Sequence, residues 1–324
     1  MALAQSKTAV IPTTERRRAR LLRREAVYGY LFISPWILGF LIFTAFPMIY
    51  GGYLSFTNYD GLTSPSWVGF DNYQRLFSGD DKLVTKALGN TLWYIAVSVP
   101  ATLVFSLMLA LLLNQPVRGI ALFRTLFYMP TVVPIVASIA IVMWVFHGRF
   151  GIVNVLLSDI GISGPAWLTD PNWVKPTLVI WTVWGAGSGM IIYLAGLQAI
   201  PEHLYEAAKI DGAGTFRRFF NITLPMLSPT IFFNLIVGII VSSQLFVPAL
   251  LLSSGASPNP FMPTGGPLNS LLFYVLYVWQ NAFVYYRMGY ASALSWALFV
   301  VVLVVTVVLF RLARHWVYYE TEGR

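Results

Sequence analysis

Five uncharged polar side chains, Ser188, Asn234, Ser242, Ser243 and Gln244, stand inside stretches that are otherwise fit for lipid. Hydroxyls and amides of this kind suit a neutral, hydroxyl-bearing ligand, and they equally suit hydrogen bonds between neighbouring helices. Asn234 and Gln244 are ten residues apart and so lie within about 80° of one another on a helix. Ser242 and Ser243 adjoin them, and Pro248 distorts the helix beyond. A solute path and plain interhelical bonding both remain open at this point.

Other chemistries are absent from the chain. There is no cysteine, and the three histidines, His147, His203 and His315, have no metal-site spacing. No Gly-Lys dipeptide occurs, so there is no phosphate-binding loop and the chain does not hydrolyse ATP by itself. The apolar stretches hold no Asp, Glu or Lys away from their ends; Arg124 stands at the start of the third and Arg287 just before the sixth. A secondary carrier would need such intramembrane ionisable groups. A membrane enzyme or receptor would need a catalytic constellation or a sensing domain, and the loops are too short for one.

The elements that carry these residues follow from composition. Of 324 residues 57% are hydrophobic and 10% charged, against about 25% charged in a soluble domain. About 20 apolar residues cross the hydrocarbon, and six stretches qualify: 28–54, 88–113, 123–146, 176–198, 229–252 and 289–310. The expectation is an all-α membrane protein of six transmembrane helices, with a basic segment at 1–26 and a six-span domain at 27–324. With both termini cytoplasmic, 15 of the 21 Lys and Arg fall on inner segments, as the positive-inside rule requires. The cluster "ERRRARLLRRE" at 15–25 precedes the first span, where it meets anionic lipid and not nucleic acid. Residues 268–286 carry seven aromatics and read as an interfacial helix, not a seventh span. The glycines of "WGAGSGM" at 184–190 read first as helix packing, then as a flexible pore-lining segment.

Between the fourth and fifth spans lies a polar island, "YEAAKIDGAGTFRRFFNITLP" at 205–225. Pro201 suits a first helical turn, and Leu204, Ala207 and Ala208 share one shallow face of the helix it opens. Gly212 supplies the left-handed stop. Thr215 is the expected N-cap of a second short helix, with Phe216, Phe219 and Phe220 as its stripe and Leu224-Pro225 as its end. A helix, glycine turn and helix projecting from the membrane is a candidate protein-docking surface.

The island resembles the EAA loop of permease subunits of binding-protein-dependent ABC importers. Glu206-Ala207-Ala208, then "KID", Gly212, nine residues and Ile222-Thr223-Leu224-Pro225 match that pattern in every position and spacing. The likeness extends through "WVGFDNYQRLF", "FRTLFYMPTVVP" and "RMGYASALSW" to carbohydrate permeases of the maltose and glycerol-3-phosphate type. It implies a type I importer permease fold and a bacterial or archaeal plasma membrane location. Residues 199–228 become the coupling loop, with Glu206, Ala207, Ala208, Asp211, Gly212, Ile222, Leu224 and Pro225 facing or shaping an ATPase contact. The implied partners are a second homologous permease, two ATP-binding subunits that use ATP and Mg, and an extracytoplasmic solute-binding protein. No cofactor is expected on this chain. The ending "RHWVYYETEGR" lacks the glycine-containing tail of one permease type, so the chain resembles the other. A sugar is the expected solute, with sn-glycerol-3-phosphate or another non-sugar solute as the alternative.

Overall fold

The computed structural model describes residues 13–255 and 265–318. The first residues of the basic N-terminal segment, and the last residues of the C-terminal ending, lie outside them. The chain divides into two units, Met1–Leu54 and Ser55–Arg324.

In the first unit, α1 (Thr13–Phe40) passes through a π-helical turn, Leu41–Ala45, into α2 (Phe46–Leu54). Pro47, in the first turn of α2, brings no N–H to the helical ladder, and the wider π turn absorbs the offset. Glu25–Leu54 is a span of 30 residues, about 45 Å long. Its aromatic rings stack on one another along the helix, Trp36 on Phe40 and Phe46 on Tyr50.

The second unit opens with a two-stranded hairpin, β1 (Thr57–Asn58) and β2 (Ser66–Trp67), and α3 (Asp71–Phe77). The long helix α4 (Lys82–Leu113) follows. Next come α5 (Ile120–Val132), α6 (Ile135–Val145), α7 (Ile152–Asp159), α8 (Val174–Trp184) and α9 (Gly187–Ala199). The polar island supplies α10 (Glu202–Ile210), α11 (Thr215–Arg218) and α12 (Leu224–Met226), and the rest is α13 (Ser228–Ser243), α14 (Val247–Gly255), α15 (Tyr274–Trp279) and α16 (Met288–Ala313). Among the described residues four helical stretches are long and apolar enough to cross a membrane, and with the bent pairs α5–α6 and α8–α9 each counted as one span there are six.

Two of the expected straight spans are broken. The third bends by 99° between α5 and α6, because Val133 is extended and Pro134 has no N–H with which to continue the helix. The fourth bends by 44° at Gly185 and Ala186. Its glycines do pack: a Cβ on Gly187 would lie 2.4 Å from the Phe127 carbonyl oxygen, so α9 touches the α5 backbone directly.

Helix α4 is the axis of the unit, with α8, α9, α13 and α15 against it. Toward its start, Tyr94 packs with Leu178, Leu271, Phe273 and Leu276; toward its end, Leu109, Ala110 and Leu113 pack with Met190, Leu197 and Leu227. Arg124 of α5 closes the C-terminal end of α4 by donating to the Leu113 carbonyl at 2.9 Å.

The stretch 268–286 is not an interfacial helix. Turns lead into α15, which runs on through a π-helical turn, Gln280–Val284; Leu271, Leu272, Phe273, Tyr274, Leu276 and Tyr277 are buried in protein, while Phe283, Tyr285 and Tyr286 are exposed. Leu268 and Asn269 adopt positive φ, which no helix allows. The carbonyls this leaves unpaired are taken by α4: Asn90 Nδ2 donates to Asn269 O at 2.8 Å and to Leu272 O at 3.0 Å. Thr91 Oγ1 accepts the Tyr274 N–H at 2.9 Å. Irregular backbone is tolerated in a membrane protein where protein groups satisfy it. Below it, Asp81 caps α4 and accepts from the Tyr277 and Tyr290 hydroxyls at 2.5 and 3.1 Å. Burial, with that carboxylate beside it, pushes the Tyr277 hydroxyl up to about 12.

Candidate docking loop and polar cavity

The island folds as two limbs joined by a glycine turn. Pro201 is the N-cap residue of α10, one position before the helix, and Glu202 sits in the first turn where the helix dipole favours an anion. At the other end Gly212 takes φ +75°. The Ala213 N–H then reaches the Ala208 carbonyl at 2.8 Å and the Gly212 N–H the Lys209 carbonyl at 3.1 Å, the paired bonds of a Schellman stop.

The alanine face expected from the sequence divides in two. Leu204, Tyr205 and Ala208 are half-buried against the lower core, whereas Glu206 and Ala207 point outward with Ile210 and Asp211. Ile210 is 87% exposed and Phe216, across the turn, 82%. Large apolar groups at such exposure, ringed by charges, form a surface suited to covering by another protein.

The second limb departs from expectation in two ways. Gly214, not Thr215, is the N-cap of α11, and Thr215 instead accepts from Arg218 at 3.4 Å. Leu224-Pro225 does not end the helix either. A π-helical turn, Phe219–Thr223, leads into α12, where Pro225 stands in the first turn and needs no N–H partner. Ile222 and Leu224 are half-buried, while Pro225 and Gly212 are exposed.

One contact joins the limbs that no sequence pattern announced. The Tyr205 hydroxyl and Thr223 Oγ1 are 2.9 Å apart, with Thr223 buried. Below them Ser228 Oγ donates to the Pro225 carbonyl at 2.6 Å and accepts the Tyr318 N–H at 2.8 Å. The root of the loop is thereby fixed to α13 and to the segment that follows α16.

A cavity of about 510 Å³ lies where the broken helices meet, lined from α4, from the α5–α6 and α8–α9 bends and from the turn between α13 and α14. Ser188, Ser242 and Gln244 line it; Asn234 and Ser243 do not. Ser243 Oγ is occupied by the Ile240 carbonyl at 2.7 Å, and Asn234 Nδ2 by Thr230 O at 2.9 Å, both within their own helix. The lining also includes Tyr94, Ser138, Trp181, Thr182, Trp184 and Phe246. Tyr94 OH and Thr182 Oγ1 are 2.5 Å apart, and Trp181 Nε1 donates to Ser138 Oγ at 3.1 Å. Among the described residues the lining includes no charged side chain. The missed residues had a usable signal: Pro134, Gly185 and Pro248 each mark a break, and breaks in spans gather at binding sites.

Among the described residues no cluster of His, Asp and Glu could hold a metal ion. The three histidines are apart from both features in role: His147 stacks on Phe150 at 3.5 Å, and His203 and His315 are exposed.

The family model described as "Binding-protein-dependent transport system inner membrane component" matches residues 102–317. Over 307 residues the chain is 42% identical to the probable ABC transporter permease protein YesP of Bacillus subtilis (strain 168), covering 94% of this chain and 96% of that one. It is 36% identical over 302 residues to the lactose transport system permease protein LacF of Rhizobium radiobacter, covering 92% and 97%. A chain of the bacterial alginate ABC transporter, solved in complex with an alginate pentasaccharide-bound periplasmic protein, superposes with a TM-score of 0.77 at 27% identity, covering 91% of this chain and 96% of that chain. The polar loop, the broken spans and these likenesses agree: the chain belongs to the inner membrane components of binding-protein-dependent transport systems, as an ABC transporter permease.

Proposed function

We propose that this permease carries a neutral carbohydrate along a path shared with a second homologous permease, and that Ser188, Ser242 and Gln244 face the solute. The observation that carries this reading is the cavity lining of indoles, hydroxyls and one amide. A sugar offers apolar C–H faces to an aromatic ring and hydroxyls to neutral polar groups. A relative named for lactose supports the same class, and a structural neighbour named for alginate, an acidic polysaccharide, supports carbohydrate more broadly. An anionic solute such as sn-glycerol-3-phosphate would call for an ammonium or guanidinium in the lining, and none is among the described residues.

In this reading a binding protein delivers the solute at the face opposite the loop, and two ATP-binding subunits, using ATP and Mg, engage the exposed side of α10 and α11. Glu206, Ala207, Asp211, Gly212 and Pro225 present that contact, while Ala208, Ile222 and Leu224 hold the loop to the bundle. Closure of the ATP-binding pair then moves the loop and switches the path between its two faces. The test is uptake by the reconstituted transporter. Gln244→Ala and Trp184→Ala should each raise the KM for the solute about fivefold or more, the scale of one lost hydrogen bond or ring contact, with basal ATPase unchanged. Wild-type KM in both variants would remove the cavity from the solute path.

A further inference from the structure

At the end of α4 remote from the coupling loop, an ordered cation stands beside a second one. Lys175 Nζ of α8 lies 4.9 Å from the centre of the Trp93 ring and 3.4 Å from Asn90 Oδ1. Both groups are neutral, so they hold the ammonium in place without cancelling its charge. Lys86 stands exposed one turn before Asn90 on α4, and its like charge opposes the Lys175 ammonium. The carboxylate of Asp81 is turned to the Leu83 N–H and to the hydroxyls of buried Tyr277 and Tyr290. Two positive charges held beside neutral groups suit an anion.

The surface running inward from this pair states which anion. Lys82, Lys86, Gly89, Trp93 and Val97 follow one another at helical spacings of three and four, so they share one exposed face of α4. The charges of α4 itself are confined to its outer end, and Lys175 of α8 adds its own over Trp93. Gly89 leaves the face open, since a Cβ there would meet nothing within 4 Å, and Trp93 and Val97 are 37% and 39% exposed. From Lys86 to Val97 is about 16 Å along the axis, roughly the depth of one leaflet of a 30 Å hydrocarbon layer. A cation pair above an apolar strip one leaflet deep is complementary to one phospholipid.

We propose that Lys86 and Lys175 bind the phosphate of a phospholipid in the leaflet opposite the coupling loop, with its acyl chain along Gly89, Trp93 and Val97. This site is separate from the cavity, and nothing in it depends on the identity of the solute.

The test uses the full chain, delipidated in detergent and titrated with phosphatidylglycerol, with retained lipid counted by native mass spectrometry. Lys86→Gln and Lys175→Gln should each weaken retention about fivefold and the double variant about 25-fold, as expected for a lysine near a charged lipid surface. Lys175→Arg, which keeps the charge, should retain the lipid, and Arg311→Gln, at the other end of α16, should leave retention unchanged. Melting of the lipid-free variants separates lost binding from lost folding. Wild-type retention in the double variant would overturn the proposal. Displacement of the lipid by millimolar inorganic phosphate or glucuronate would overturn it in favour of a site for soluble anions.

Discussion

The polar loop at 201–225 and the opposite segment at 265–286 are both connections between spans, yet the bundle treats them in opposite ways. The first is tied to itself by local bonds, such as Ala213 to Ala208 and Tyr205 to Thr223, and leaves Ile210 and Phe216 bare. The second is tied to a helix about 180 residues earlier in the chain, and its Phe273, Tyr274 and Tyr277 are inside. The difference separates a surface held in shape by its own bonds and left open from a plug whose bonding partner is already in the same chain. Exposure alone would not establish this; the range of the hydrogen bonds does.

Three substitutions put that contrast at risk. Gly212→Pro removes the N–H that bonds Lys209 and forbids φ +75°; transport and solute-stimulated ATPase in reconstituted vesicles should fall at least tenfold while the chain still inserts. Equal activity would mean the loop's turn is dispensable. Asn90→Ala leaves the carbonyls of Asn269 and Leu272 without a donor, which costs about 2–4 kcal/mol at the usual penalty for unsatisfied buried groups. The detergent-solubilised protein should melt several degrees lower, whereas Gly212→Pro should scarcely move the melting point. Tyr205→Phe deletes only the hydroxyl shared with Thr223, about 1 kcal/mol. It should lower stimulated ATPase two- to fivefold with uptake KM intact, and an unchanged ratio of stimulated to basal ATPase would show that the limbs need no link.

The long helices were legible because their signal is local: an uninterrupted apolar run has few alternatives to a membrane helix. The Gly212 stop was equally legible, since left-handed backbone selects glycine. Bend angles were not, because Pro134 and Gly185 announce a break without its direction. The 268–286 segment was misread for a different reason. Tyrosines and tryptophans suit a headgroup boundary and a polar-lined core alike, and only Asn90, Thr91 and Asp81, far away in the chain, decide between them. The same limit explains the cavity. Ser242 and Gln244 could be found from polarity, but whether a polar group serves its own helix, as Asn234 does, depends on its rotamer.

The bond from Asn90 to Leu272 spans 182 residues of chain, and that separation has a meaning during synthesis. At 5–20 residues per second a ribosome needs roughly 10–35 s to deliver the acceptor after the donor has emerged. Throughout that interval α4 enters the bilayer with the Asn90 amide N–H unanswered. The first third of this chain therefore depends on whatever receives nascent helices to shelter that amide until the last third arrives, and a truncation before residue 269 would strand it for good.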